Sequence, residues 1–263
     1  MTASFSAPLT ASGRSASAPP PPWHYVGDFC AVDFWASADA VTSLLPPGIE
    51  PADDPGRCAI FFSDCQYATD GGDELIEPAV CQYRECMVVI TGKVDGKLAS
   101  SVPFIFVDND NSLVRGQIQG MPKQLGVVRM TRSYTVASPA NPGLEVGSRF
   151  GATCSYRDRL AAKMTLALTE ITDHAPNRIM ARLINRRHMP DLRADRHHIP
   201  LVSDLVRQKV RSVAMSPVWS GAATLSLYDS EVHEIGMLAP KRVGRGYRYT
   251  MAMTIDDLSL FES

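Results

Sequence analysis

The six residues Gly92–Lys97, GKVDGK, commit this chain to antiparallel pairing. Asp95-Gly96 at the tip are residue types that accept left-handed backbone, which a two-residue hairpin turn requires. The flanking segments QYRECMVVITG and KLASSVPFIFVDND are rich in β-branched and aromatic residues and read as its two strands. Comparable strand segments recur along the chain: WHYVGDFCAVDFW, CAIFFSDCQYAT, LGVVRMTRSYTV, GSRFGATCSY, RIMARLINRR, AATLSLYD and YRYTMAMTIDDLSLF. Helices are expected at SADAVTSLL, capped by Ser37 and stopped by Pro46-Pro47, over Asp110–Ile118, and at DRLAAKMTLALTEI. LVSDLVRQKVRSV fits either helix or strand.

Residues 1–22 are Ser/Ala/Pro-rich and end in four prolines, so an extended, polyproline-like segment is expected there. No later linker or repeat divides the chain. The expectation is one α+β domain over 23–263, built on a curved or closed antiparallel sheet, barrel-like, with short helices.

Composition narrows the function. A 45% hydrophobic content supports a real core, and a formal charge of −2 recommends neither a nucleic-acid nor a membrane partner. No apolar run reaches the ~18 residues of a membrane span, and the N-terminus has no secretory h-region. The six cysteines show no CxxC spacing and read as buried, reduced thiols of a cytoplasmic protein.

The stretch Gln119–Gly126, QGMPKQLG, holds one of only six lysines, Lys123, among Gly, Met, Pro and Leu. Loss of hydration disfavours the ammonium and makes a nucleophilic neutral amine accessible; the alternative is a lysine that snorkels to water. Glu85 in QYRECMVV shares a strand face with Tyr83 and Met87 by alternation, while Arg84 faces the other way. It suits either an ion pair or a proton shuttle. The run Arg182–His198 carries five arginines and three histidines, but Asp191 and Asp195 dilute it, and a solvated or subunit-contact surface is expected. His197-His198 lacks a third ligand for a metal. Walker A, GxSxG, HExxH and dinucleotide fingerprints are missing from the sequence.

Several blocks in order resemble the acetoacetate decarboxylase superfamily: APLT, PPPPWHYVG, LLPPGI, QYRE, FVDND, GMPKQLG and VWSGAATLSLYD. PPWHY, QYRE and the Gln119–Lys123 pairing look most like its aldolase–dehydratase branch. The resemblance implies a β-rich homo-oligomer in which Lys123 forms a Schiff base and Glu85 moves protons. An activated lysine of this family is a standard case in enzymology. Gln119 and Arg115 would hold the substrate's polar groups, and Met121, Gln124 and Tyr83 would line the pocket. No cofactor or metal is required. The implied substrate is a small keto acid such as pyruvate, with an aldehyde as a second reactant.

The chain departs from the decarboxylases at Gln124, where they carry a second lysine, and near Gly27, where they carry an arginine. Asp64 is the nearest acidic residue to one they bear on the next strand. Aldol condensation with dehydration is therefore the expected chemistry. β-Keto acid decarboxylation and keto-acid binding without turnover are the alternatives.

Overall fold

The Asp95-Gly96 turn forms as its residues demand, with φ of 51° and 69°. It joins β4 (Gln82–Val94) to β5 (Lys97–Val107) in the computed structural model, which describes residues 4–173 and 182–261. Preceding them are β1 (Trp23–Trp35), α1 (Ala38–Ser43), β2 (Glu50–Pro51), β3 (Arg57–Ala68) and α2 (Pro78–Cys81). After β5 come α3 (Asp110–Ile118), β6 (Lys123–Leu125), β7 (Val127–Met130), β8 (Arg149–Tyr156) and β9 (Arg159–Thr172). The chain ends with β10 (Ile184–Met189), β11 (Val202–Met215), β12 (Val218–Leu227) and β13 (Arg242–Leu260).

These strands make one large sheet in the order β6-β5-β4-β3-β1-β13-β12-β9-β8-β7, with β10–β11 attached to β13 and β2 to β4. The sheet is curved and does not close, because its end strands β6 and β7 do not pair with each other. One parallel bridge, Ser100 to Leu183, brings β5 beside the chain entering β10. Nor is the sheet wholly antiparallel: β6 runs parallel to β5.

Strand alternation gives this sheet two apolar faces. On one, Cys30, Val32 and Phe34 of β1 meet Ile60 and Phe62 of β3 and Val88 and Ile90 of β4. On the other, Phe29 and Ala31 meet Ala59, Phe61, Tyr83, Met87 and Val89. Burial of each large apolar side chain stabilises by about 1.5–3 kcal/mol, so both faces are cores.

Three segments differ from their sequence expectations. The helix expected at DRLAAKMTLALTEI is the strand β9. Its helix-forming composition is overridden by a period of two: Ala162, Met164, Leu166 and Leu168 are buried, while Lys163 and Thr165 face outward. The ambiguous LVSDLVRQKVRSV is also a strand, β11. LGVVRMTRSYTV yields only the end of β6 at Leu125 and the four residues of β7. The first residues of RIMARLINRR lie outside the described residues, and the remainder enters β10.

Residues 4–22 contain neither helix nor strand. They fold back on themselves, with Ser17 N–H donating to Ala7 O (3.0 Å) and Ala18 N–H to Ser6 Oγ (2.7 Å). All six cysteines are buried and free. Burial pushes the Cys58 and Cys65 thiols up to about 12. Among the described residues no helix is long and apolar enough to cross a membrane.

Candidate active site

α3 and β6 together place Lys123. Asn109 caps α3 by accepting the Ser112 N–H (3.0 Å). The chain then reverses at Gly120, whose φ of 76° suits glycine. Met121 N–H donates to Gly116 O (2.8 Å), which turns Lys123 back toward α3. A Cβ on Gly116 would lie only 2.3 Å from Lys123 Cδ, so the lysine stem rests directly on that bare helix position.

The amine reaches Glu85 on β4, with Nζ 2.7 Å from Oε2. Both side chains are nearly enclosed, 11% and 14% exposed. The contact is an ion pair whose carboxylate oxygen lacks hydrogen-bond alignment. Nζ instead donates to Ser112 Oγ (3.0 Å), and it lies 5.3 Å from the centre of the Tyr83 ring. Such a pair can pass a proton from nitrogen to oxygen without moving either chain.

Arg115, one turn from Ser112 on α3, is 1% exposed. Its guanidinium lies 3.3 Å over the Tyr67 ring, and it flanks Tyr83 at 5.7 Å and Tyr25 at 5.9 Å. One NH donates to Asn111 Oδ1 (2.5 Å), but Nε and the other terminal nitrogen have no aligned partner. No salt bridge joins Arg115 among the described residues. With Lys123 and Glu85 compensating each other, the enclosed group is left with one unbalanced positive charge. A buried cation without a counter-charge is costly, and a bound monoanion removes that cost.

Two phenols stand beside these charges. Burial holds Tyr83 well above the usual phenol range and raises Tyr25 as well, so each keeps its O–H. Tyr25 also meets Gln119 and Arg115. Gln119, 5% exposed, accepts from Gln208 Nε2 of β11 (2.6 Å). Met121 is buried against Asn185, whose Nδ2 lies 3.3 Å from its sulfur.

The structure thus gathers Lys123, Glu85, Tyr83 and Arg115, with Gln119 at one side. Gln124, expected in the pocket, is not among them. On β6 it pairs with Phe106, which faces the opposite core, whereas Lys123 pairs with Ile105 of the inner one. Its amide donates to Tyr156 OH (3.2 Å). Asp64 is also elsewhere, held by Arg132 (2.9 Å) and Arg84 (3.5 Å). Nor does position 27 have room for an arginine, because even a Cβ there would fall 2.3 Å from Cys65 Sγ.

Sequence reasoning missed Ser112, Asn111, Tyr25, Tyr67 and Gln208. Helical spacing offered a signal for the first two: Ser112 lies three residues before Arg115, and Asn111 four. Gln208 gives no local signal, being 89 residues from Gln119. The arginine-rich stretch is structural in part: Arg193 and Arg196 both hold Asp191, at 2.5 and 3.3 Å. No cluster of three metal-ligating side chains occurs among the described residues.

Two depressions border the group, each sharing one residue with it. A cavity of about 410 Å³ includes Gln119 and is walled by Trp23, Ile118, Val206 and Ile255. A more open groove of about 380 Å³ includes Tyr83 and is walled by Asp64, Arg84 and Asp108. Neither is lined by Lys123 itself.

Comparison with known proteins agrees with this fold. The acetoacetate decarboxylase family profile matches residues 6–263. The solved structure of the enduracididine biosynthesis enzyme MppR, complexed with the condensation product of pyruvate and imidazole 4-carboxaldehyde, superposes with a TM-score of 0.90. It is 32% identical, with 97% of this chain and 95% of that chain covered. MppR complexed with pyruvate gives a TM-score of 0.89 at the same identity, over 97% and 96% of the two chains. An acetoacetate decarboxylase-like enzyme from Sphingomonas wittichii shares the fold at 23% identity, with a TM-score of 0.88 over 99% and 100% of the two chains. Comparison with curated protein sequences gives no significant match. A profile match across almost the whole chain leaves one assignment: the chain belongs to the acetoacetate decarboxylase family.

Proposed function

We propose that this protein is a lyase that binds a small α-keto acid, pyruvate or a close analogue, as a Schiff base on Lys123 and condenses it with an aldehyde. The observation that carries the reading is the enclosed Lys123–Glu85 pair beside an unbalanced Arg115. The pair supplies a nucleophile with its base, and the arginine supplies a place for one carboxylate.

Glu85 takes a proton from the Lys123 ammonium, and the freed amine adds to the keto carbon. Glu85 returns that proton to the former carbonyl oxygen, which leaves as water, giving an iminium and restoring the carboxylate. Its positive nitrogen then accepts the electrons of an α-C–H bond as Glu85 removes the proton, forming an enamine. The enamine carbon bonds to the aldehyde carbon while the aldehyde oxygen takes a proton. Loss of a second α-proton expels that oxygen as water, and hydrolysis of the iminium returns Lys123. Tyr83 and Tyr25, kept as neutral phenols, donate to the oxygens that change charge. The MppR complexes support this reading, since one contains pyruvate and the other a pyruvate–aldehyde condensation product.

Borohydride reduction with pyruvate should add the reduced substrate to the peptide holding Lys123, read by mass spectrometry. Lys123→Ala should abolish both labelling and turnover. Retained turnover in that variant refutes the proposal. The family match favours one second reading, decarboxylation of a β-keto acid, in which the iminium collects the electrons of the departing carboxylate. Carbon dioxide release from acetoacetate selects that reading, and trapping without any turnover selects a binding protein.

A further inference from the structure

The cavity of about 410 Å³ beside Gln119 is far larger than a three-carbon keto acid needs, and it lies outside the charged group. Resting on the Lys123 reading above, we infer that this cavity receives the body of the second reactant, and that it selects an uncharged, apolar aldehyde. Trp23, Ile118, Val206, Ile255 and Leu258 make its walls. Two charged residues also line it and both already hold ion pairs, Arg187 with Asp204 at 2.6 Å and Asp257 with Lys209 at 2.7 Å, while Arg187 Nε keeps no hydrogen-bond partner among the described residues. An anionic aldehyde would have to compete with those carboxylates for its cation, whereas an apolar ring displaces only water.

Gln119 connects this cavity to the chemistry. Its side chain lines the cavity, is held by Gln208, and meets Tyr25, whose phenol faces Arg115. One amide thus borders both the charged group and the apolar cavity. The other depression suits such a ring poorly, because Asp64, Arg84 and Asp108 would have to be dehydrated. Phe5, packed edge-on against Trp23 at 6.2 Å, closes one side, so the N-terminal segment contributes to the wall.

The test uses three aldehydes with the full chain: 2-naphthaldehyde, acetaldehyde and glyoxylate, each condensed with pyruvate. The wild type should favour 2-naphthaldehyde over glyoxylate in kcat/KM. Leu258→Trp fills the cavity from a half-exposed wall position. It should cut kcat/KM for 2-naphthaldehyde by about 10–100-fold, the scale of steric discrimination in an apolar pocket. Acetaldehyde turnover should fall far less, and pyruvate trapping at Lys123 should be unaltered. Leu258→Ala should shift the preference toward larger aldehydes. Equal losses for both neutral aldehydes, no loss for either, or a wild-type preference for glyoxylate overturns the inference. A wild type that traps pyruvate yet condenses no aldehyde overturns it while leaving the Schiff-base lysine intact. Failure to trap pyruvate at all removes both.

Discussion

Phe61 and Phe62 are successive residues of β3, both almost fully buried, and they belong to different cores. Phe62 faces a region built from Val32, Ile60, Val88, Leu166 and similar side chains, where the buried cation Arg248, against Phe150, is paired with Asp28 at 2.7 Å. Phe61 faces Tyr83, Met87 and Met121, the neighbours of Lys123, Glu85 and Arg115. The same strands therefore carry one face that mainly holds the sheet together, its Arg248 neutralised by Asp28, and another that gathers Lys123, Glu85 and an unpaired Arg115. Alternation alone does the sorting, so a side chain's assignment depends on its parity along the strand. Each prediction below strains that separation.

The largest effect is expected on the charged face. Glu85→Gln keeps the shape but cannot take a proton, and turnover should fall by roughly 10²–10⁴-fold, the usual worth of general acid–base catalysis. Circular dichroism should remain unchanged. Full activity in a folded Glu85→Gln protein would reduce the carboxylate to a structural partner of Lys123.

Next come the paired substitutions Phe61→Ala and Phe62→Ala. Each should cost about 3–5 kcal/mol in denaturant unfolding, as large core truncations do. Only Phe61→Ala should also slow pyruvate trapping, measured under conditions where both proteins remain folded. If Phe62→Ala slows trapping equally, the two faces are mechanically coupled and the separation fails.

Gly116 tests positioning without touching a functional group. An alanine methyl there would displace the Lys123 stem, since the atoms it meets are all lysine methylenes. Displacement of about 1 Å is worth roughly 10²-fold in rate, and that is the loss expected in trapping for Gly116→Ala. Unchanged trapping would show that the lysine reaches its partner by another path.

A smaller effect belongs to the apolar face. His233 is buried against Phe106 and Tyr156 with neither ring nitrogen partnered. Burial lowers its titration in the folded protein, opposed by the Asp229 charge. The unfolded chain then takes up a proton below about pH 6.5 before the folded one does, so this residue's contribution is lost as pH falls. His233→Phe should flatten the acid side of the stability profile and leave trapping unaltered. An unchanged profile would remove His233 from the acid sensitivity of the fold.

Much of this arrangement was legible in the chain. The Asp95-Gly96 hairpin, the β1 and α3 boundaries and the shared face of Tyr83, Glu85 and Met87 all follow from local residue types and parity. β9 was misread because Ala, Leu, Met and Lys favour helix in isolation, while its burial alternates residue by residue. Tyr25 and Gln208 were invisible because strand pairing across the molecule, β1 on β13 and β13 on β11, sets their positions. Gln124 was placed in the pocket because the resemblance sets it where the decarboxylases carry a second lysine, yet neighbours in a strand face opposite ways.

Gln124 also gives the smallest and most discriminating prediction. Its side-chain bond to Tyr156 OH is on a partly exposed edge, so Gln124→Ala should cost no more than about 1 kcal/mol. Trapping at Lys123 should not change, because removal of the amide leaves the inner face untouched. Gln124→Lys puts an ammonium at the position where the decarboxylases carry one, yet here strand parity aims it toward Tyr156. Repulsion between that ammonium and Lys123 would be screened by salt, whereas effects of burial would not. The pH profile of trapping in Gln124→Lys should therefore match the wild type at both low and high ionic strength. A salt-dependent shift toward lower pH would mean that the two ammonium groups meet. In that case β6 must twist far enough to bring both faces to one site, and parity along the strand would no longer decide which residues reach the substrate.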